Sequence, residues 1–317
     1  MNYWIITLEY PPIYGGGIGT YCYETAQMLK QKGWQVTIFL FNKRVNGTKI
    51  KSIDGIRIVE FCTTDRLSAS LGYDTAICFK FSVIIEYYME QEGVPTVLES
   101  QEYGGIAYYI LQKKHLGYPF FKELRIIITI HAPSFLYHAF NHAPSYALPY
   151  FWIGEMERWC IKAADHVSAP GNFIIKAIKP FFYSSLREVT VISYPYNWHV
   201  AQIDFDTDPR QEWFFFGKLT RQKGIFHLLK ACRNLWDKGW RKQMKVIGSG
   251  DHFYHPENRS VTSWIKNNYD EEIRKKQLVL LGKQSPSNWR QLTGCGCVVV
   301  IPSIGDNYPF TVIESSC

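Results

Sequence analysis

The chain has 317 residues, of which 46% are hydrophobic, and its formal net charge is +7. This length suits two domains and the hydrophobic content supports full cores, so intrinsic disorder is excluded. The basic excess is modest and contains no block of like charges, so we expect no nucleic-acid partner.

The N-terminal half alternates between strand and helix patterns. Residues 3–8 (YWIITL) predict a first strand, residues 18–32 an amphipathic helix and residues 34–41 a second strand. A helix between two strands predicts a right-handed parallel unit and therefore a doubly wound α/β sheet. Further along, residues 75–78 predict another short strand and residues 81–91 a helix.

The loop after the first predicted strand is rich in proline and glycine (YPPIYGGGIGTY, Tyr10–Tyr21). Clustered glycines let a backbone approach a phosphate closely, which makes Gly16 and Gly17 candidates for contact with a diphosphate. A dinucleotide-binding dehydrogenase is an alternative, but its fingerprint has a short turn and an acid after the second strand. Here the loop is long and holds two prolines, and Asn42 follows the second strand.

Two polar residues follow predicted strands of the N-terminal half. Glu102 comes after residues 96–99, at the strand end where α/β sheets bind ligands, so it is a candidate for acceptor binding. The alternative is that Glu102 caps a helix predicted at residues 106–112. His131 directly follows the apolar strand predicted at residues 124–130 and is either structural or part of a site.

The polar, acid-rich segment 200–212 contains a proline and predicts a linker. We therefore assign residues 1–199 to an N-terminal domain and residues 213–317 to a C-terminal domain. Strand and helix patterns resume at Trp213–Phe216 and Ile225–Asp237, so the second domain is predicted to be α/β as well.

The last predicted strand, at residues 297–301, leads into a loop and then a helix beginning near Pro309. A helix N-terminus beyond a strand presents free amide donors and the positive end of the helix dipole. Asp306 and Glu314 flank this anion site, where carboxylates can accept hydrogen bonds from hydroxyls of a sugar or ribose. The alternative is an ordinary helix with an acidic first turn.

The block GKLTRQKG at residues 217–224, the proline–glycine loop and the D-x7-E pair together resemble the retaining glycosyltransferases of family 4. This resemblance extends from Trp4 to the last residue. It implies the GT-B fold, an α/β architecture of two Rossmann-like doubly wound domains that face a central cleft. It also implies that the second domain is incomplete at its C-terminal end.

The activity that the resemblance implies is transfer of a sugar, with retention, from a nucleotide-diphosphate sugar. We expect a UDP-linked donor in preference to a GDP-linked one, and a saccharide or lipid-linked acceptor, in bacterial polysaccharide or glycolipid synthesis. No metal and no cofactor are expected. A non-catalytic nucleotide-binding remnant and an NAD-dependent oxidoreductase are the alternatives.

The resemblance also implies roles for individual residues. His131 would lie near the transferred sugar, although residue 132 is alanine where the family usually has aspartate. Asp306 is expected to be catalytic together with His131. The expected donor contacts are Gly16, Gly17, Lys218 and Lys223 for the diphosphate, Asp306, Asn307 and Phe310 for the sugar, Glu314 for the ribose, and Gly282 and Lys283 for the base.

A membrane surface is the last expectation. Basic residues flank the apolar segment LGYPFF (residues 116–121), and the segment 135–159 is rich in aromatic side chains. Such a surface would suit an anionic inner leaflet. The alternative is that the aromatic residues are core and the lysines form a solvated rim. No apolar run has the length of a membrane span, so we expect a cytoplasmic protein with peripheral membrane contact at most.

Overall fold

The computed structural model describes residues 1–182, 186–197, 212–249, 252–284, 288 and 297–315, and of residues 314 and 315 it describes the backbone alone. The chain divides into two compact units. The first comprises Met1–Tyr137 and Pro144–Asn197, and the second comprises His138–Ala143 and the described residues of Trp198–Cys317. The predicted linker, residues 200–212, lies outside the described residues except for Glu212, so the predicted domain boundaries stay a prediction.

The first unit is built on an eight-stranded sheet. The strands are β1 Asn2–Thr7, β2 Gln35–Phe41, β3 Thr48–Ile53, β4 Ile56–Phe61, β5 Val97–Gln101, β6 Ile126–Thr129, β7 His166–Ala169 and β8 Thr190–Val191. Their order in the sheet is β3-β4-β2-β1-β5-β6-β7-β8, and the pairs are parallel except β3–β4, which is antiparallel.

Both faces of the central strands are covered. Trp4, Ile5, Ile6 and Thr7 of β1 are all buried, and consecutive strand residues point to opposite faces of a sheet. This pattern is typical of parallel sheets with helices packed on either side. The helices of this half of the chain are α1 Gly17–Gln31, α2 Asp65–Leu71, α3 Tyr73–Glu92, α4 Tyr108–His115, α5 Ser134–Phe140, α6 Tyr150–Ala163 and α7 Asn172–Ile178.

One predicted strand of this unit is wrong. Residues 75–78 lie in α3, which begins after Gly72 and ends before Gly93. The buried residues Ile77, Phe81, Ile84 and Tyr88 recur at helical spacing, so the short apolar run at residues 75–78 belongs to the buried face of a helix.

The second unit has a four-stranded parallel sheet, formed by β9 Trp213–Phe216, β10 Met244–Ile247, β13 Leu278–Gly282 and β14 Val298–Val300. The order of these strands in the sheet is β13-β10-β9-β14. A separate small antiparallel hairpin is formed by β11 Phe253–Tyr254 and β12 Arg259–Ser260. The helices are α8 Ile225–Asp237, α9 Val261–Asn268, α10 Asp270–Arg274 and α11 Phe310–Ser315.

The core of the second unit forms between α8 and its sheet. Ile225, Leu229 and Cys232 of α8 are buried with Met244 of β10 and Leu278 of β13. Across the part of the chain that the structure describes, no helix is both long and apolar enough to cross a membrane.

Candidate functional site

The glycine loop of the first unit ends against a carboxylate. Gly16 immediately precedes α1, and Gly17 is the first residue of that helix. Oε2 of Glu9 accepts a hydrogen bond from the amide of Gly19 at 3.2 Å. A Cβ on Gly16 would overlap the Glu9 carboxylate, so only glycine fits there without displacing it.

Glu9 thus occupies the helix N-terminus that was predicted to approach a diphosphate. A carboxylate there satisfies an amide donor of the first helical turn and complements the helix dipole. It also places a negative charge beside Gly16 and Gly17, whose contact with a diphosphate stays a prediction. Sequence reasoning missed Glu9, because nothing in the loop's composition signals which side chain caps the helix.

His131 lies at the carboxyl end of β6, buried among aromatic residues. The ring of Tyr21 meets the imidazole edge-on at a centroid distance of 4.7 Å, and the ring of Tyr194 lies at 5.0 Å. The Tyr194 hydroxyl is 2.6 Å from Nδ1 of His131. Burial lowers the pKa of His131 to about 3, so its imidazole is neutral at physiological pH.

The tautomer of this neutral imidazole depends on Tyr194. The single hydroxyl proton of Tyr194 has two acceptors in reach, Nδ1 of His131 and the carbonyl of Ile130 at 3.3 Å. Donation to Nδ1 leaves the proton of the ring on Nε2, whereas donation to the carbonyl leaves it on Nδ1. Tyr194 is therefore a hydrogen-bond partner of the His131 ring that the sequence analysis did not identify.

Glu102 fixes the backbone of His131. Glu102 is fully buried, and both of its carboxylate oxygens lie 2.9 Å from the amide nitrogen of His131, which donates to them. Burial raises the pKa of Glu102 to about 8, and this effect is larger than that of the hydrogen bond from the His131 amide, which lowers the pKa. The helix-capping alternative is wrong, because α4 begins after Ala107 and the Glu102 side chain makes no cap hydrogen bond. Its contact with an acceptor stays a prediction.

Glu157 of α6 ties together the loops that follow β5 and β6. Its carboxylate accepts hydrogen bonds from the Gly104 amide at 2.8 Å, from the Ser134 amide at 2.8 and 3.0 Å, and from the Ser134 hydroxyl at 2.8 Å. Burial raises the pKa of Glu157 to about 7. Beneath the same edge, Glu99 accepts hydrogen bonds from Tyr21 at 2.5 Å and Thr129 at 2.7 Å. These buried acids hold His131 in a rigid, hydrogen-bonded frame.

In the second unit, the parallel topology brings the predicted donor residues to one edge of the sheet. Lys218 follows β9, Gly282 ends β13 and Lys283 comes directly after it, and Asp306 follows β14. The strand ends approach closely, since a Cβ on Gly248 after β10 would overlap the carbonyl of Gly217. The carboxyl edge of a parallel sheet is where α/β folds bind ligands.

Two of the predicted residues are in direct contact at this edge. Nζ of Lys223 forms an ion pair with Oδ2 of Asp306, which also accepts a hydrogen bond from Ser303 at 3.3 Å. Gln222 reinforces the contact, because its side chain donates to the Gly305 carbonyl at 2.8 Å. The structure therefore joins a residue predicted for the diphosphate to one predicted for the sugar.

Glycine is required where these two loops meet. Gly224 has a φ of 76°, and a Cβ there would overlap the carbonyl of Pro302. A Cβ on Gly305 would overlap the ring of Phe140, which belongs to the segment His138–Ala143 of the second unit. At Gly224 and Gly305, the loops after β9 and β14 are thus packed too closely to accept any residue larger than glycine.

The remaining predicted residues are placed as follows. Lys218 and Lys283 are exposed, Asn307 is partly buried, and Phe310 is buried with its ring 5.4 Å from that of Tyr308. Glu314 lies in α11, and its side chain is outside the described residues. Among the residues that are described, no group of three His, Cys, Asp or Glu side chains could hold a metal ion.

These folds are shared with known structures over nearly the whole chain. Sucrose-phosphate synthase from Thermosynechococcus elongatus is similar with a TM-score of 0.69 and 15% identity, covering 99% of this chain and 78% of that one. The catalytic domain of starch synthase IV from Arabidopsis thaliana, bound to ADP and acarbose, has a TM-score of 0.68 and 11% identity, covering 99% of this chain and 80% of that one. A structure described as trehalose-6-phosphate from E. coli bound with UDP-2-fluoro glucose has a TM-score of 0.64 and 11% identity, covering 99% of this chain and 81% of that one.

The architecture and these likenesses define the GT-B fold. The family model of Glycosyltransferase Family 4 matches residues 15–197, more than half of the chain. The chain therefore belongs to glycosyltransferase family 4, and the predicted family and fold are confirmed. None of the curated proteins matches the chain significantly.

Proposed function

We propose that this glycosyltransferase takes its sugar from a nucleotide-diphosphate donor, UDP-linked in preference to GDP-linked. The contact between Lys223 and Asp306 at the carboxyl edge of the second sheet carries the proposal. A lysine suits a diphosphate because it offsets the charge that grows on the leaving group, whereas a carboxylate suits sugar hydroxyls. Two similar structures, described with ADP and with UDP-2-fluoro glucose bound, support a nucleotide ligand.

Donor binding would divide the ion pair between two parts of one ligand. In this proposal Lys223, with Lys218, Gly16 and Gly17, contacts the diphosphate, while Asp306 accepts hydrogen bonds from the sugar. Lys223 and Asp306 are only partly exposed, with 23% and 18% of their side chains accessible, so their charges act at reduced solvent screening. Asn307 and Phe310 complete the sugar contacts, Glu314 holds the ribose, and Gly282 with Lys283 borders the base.

The reaction that we propose retains the configuration of the transferred sugar. The leaving phosphate accepts the proton of the acceptor hydroxyl, so no carboxylate nucleophile is needed. The lysines supply the positive charge at the leaving group without a metal. His131, neutral because it is buried, hydrogen-bonds the transferred sugar, and Glu102 is assigned to the acceptor side.

Calorimetric titration tests the donor assignment. We expect the full-length chain to bind UDP-sugars more tightly than GDP-sugars in the presence of EDTA. Asp306→Ala should weaken binding of the sugar-bearing donor while leaving free UDP binding nearly unchanged. Asp237→Ala, which removes an exposed carboxylate at the end of α8, is the matched control for the loss of a negative charge. If no nucleotide binds in any form, the proposed function is refuted.

The product distinguishes an enzyme from a non-catalytic remnant. NMR of the product from an α-linked donor should show an α-linkage, whereas a β-linkage would overturn retention. Donor binding without turnover on any acceptor would instead support the remnant. The acceptor is proposed to be a saccharide or a lipid-linked saccharide of bacterial polysaccharide or glycolipid synthesis, at the cytoplasmic face of the membrane.

A further inference from the structure

The second unit contains a cavity of about 480 Å³ beside α8, in the range of small-molecule sites. Phe226, Lys230, Arg233 and Asn234 line it, and their spacing along α8 places them on one helix face. This face differs from the one that carries the buried core residues of α8. The other walls come from the hairpin β11–β12 and from α9. Lys218, Lys223 and Asp306 do not line the cavity.

Aromatic rings form one wall of the cavity. The ring centroid of Phe226 lies 4.8 Å from that of Tyr254 and 4.7 Å from that of Trp264. The indole N–H of Trp264 donates to Glu257 at 2.7 Å, which fixes the orientation of its ring. Flat, partly buried aromatic rings with fixed orientation offer an apolar surface to a ligand ring at little entropic cost.

Cations supply the other recognition element. The nine described residues that line the cavity include three cations, Arg221, Lys230 and Arg233, and no acid. Arg221 is held by the carbonyl of Phe140 at 3.1 Å. Arg233 donates to Asn268 and Glu272 and lies over the ring of Tyr269, which is part of the wall.

The cations that line the cavity still have N–H groups that can donate hydrogen bonds to a ligand. Within the described part of the chain, Lys230 forms no ion pair, and Glu272 is the single carboxylate that pairs with the lining cations. Glu272 offsets the charge of Arg233, and Glu257 beside Trp264 is itself paired with Arg259, so the cavity keeps an excess of positive charge. Guanidinium groups already fixed in place lose little conformational entropy when they bind an anion.

We propose that this cavity binds an anionic saccharide unit, a sugar ring that carries a phosphate or a carboxylate. The aromatic wall would take the apolar face of the ring, and Lys230 with the two arginines would take the charge. The proposal adds a second ligand site to the donor and acceptor sites and does not depend on their assignment.

Ligand binding to the full-length chain tests this site, measured by calorimetry with four probes. Glucose 6-phosphate and glucuronate represent the two sources of charge, glucose lacks the charge, and inorganic phosphate lacks the ring. We expect at least one charged sugar to bind at least tenfold more tightly than glucose and than phosphate. The charged sugar that binds more tightly identifies the class of anion.

Variants then locate the binding. Lys230→Glu reverses a charge on an exposed side chain, and Asn234→Asp places an acid in the lining at nearly constant shape. Both should weaken charged-sugar binding at least tenfold and leave donor binding unchanged. Lys266→Glu, an exposed position of α9 outside the lining, is the control. Equal affinity in Lys230→Glu and the wild type, phosphate binding as tight as the sugar phosphate, or tighter binding of UMP would each overturn the proposal.

Discussion

The buried carboxylate of Glu157 should make the stability of the first unit depend on pH. Burial raises the pKa of Glu157 from the model-peptide value of 4.5 to about 7, so the folded state binds a proton more tightly than the unfolded state. A group of this kind stabilises the fold fully below the unfolded pKa, and the contribution is lost as the pH rises through the folded pKa. A rise of about 2.5 pKa units corresponds to about 3 kcal/mol.

Glu157→Gln removes this titration and preserves the shape of the side chain. The wild type should lose about 3 kcal/mol of unfolding free energy between pH 4.5 and 8 relative to the variant, measured by urea unfolding of the full chain with circular dichroism. The variant itself is destabilised at pH 5, because its amide nitrogen replaces one of the two oxygens and cannot accept a hydrogen bond from Gly104 or from Ser134. Glu90→Gln, at an exposed position of α3, is the control. Parallel pH profiles for wild type and Glu157→Gln would refute the reasoning.

Three further substitutions test the frame around the site. Tyr194→Phe removes the hydrogen bond to His131 and should lower kcat at least tenfold with little change in KM for the donor; an unchanged kcat would remove Tyr194 from the mechanism. Lys223→Ala should weaken donor binding by about 1.5–3 kcal/mol, the loss expected for a hydrogen bond to a charged group, and unchanged calorimetric affinity would contradict this role. Gly16→Ala should displace the Glu9 carboxylate from the Gly19 amide and destabilise the chain by about 0.5–2 kcal/mol, the range for losing a helix cap, whereas an unchanged Tm would show that the loop adapts.

Local sequence patterns predicted most of the elements that carry the site. The strand Trp213–Phe216 and the helix Ile225–Asp237 have the predicted bounds, because the apolar run and the helical spacing are interrupted there by glycine or polar residues. The short apolar run at residues 75–78 was misassigned because such a run fits a strand and a buried helix equally well.

Side-chain partners distant in sequence could not be predicted in the same way. Glu157 meets Gly104, 53 residues away, and Tyr194 meets His131, 63 residues away. Each contact depends on the arrangement of the sheet rather than on a local pattern. The pairing of Lys223 with Asp306, 83 residues apart, follows only once β9 and β14 are known to be neighbours. Family motifs indicated these two residues, but not their contact.

The surface of the first unit bears on the expected membrane contact. Tyr146, Leu148 and Trp152 near the start of α6 are 83%, 67% and 56% exposed, an uncommon concentration of apolar side chains in solvent. The basic residues predicted to attract an anionic leaflet are partly neutralised, since Lys113 pairs with Glu86 at 2.6 Å and Lys114 pairs with Asp165 at 3.2 Å. Membrane contact would therefore depend more on apolar insertion than on charge.

Sedimentation with anionic liposomes at low and high salt tests this membrane contact. The wild-type chain should bind at both salt concentrations, because inserting apolar area is insensitive to screening whereas charge attraction is not. Replacing Leu148 and Trp152 together by serine should lower the partition coefficient at least tenfold, about 1.4 kcal/mol, since each side chain contributes roughly 1 kcal/mol on burial. Tyr87→Ser, at an exposed tyrosine of α3, is the control. A wild-type chain that does not bind the liposomes at low salt would rule out a membrane role for this surface. The same partition coefficient for the wild type and the double variant would rule it out as well.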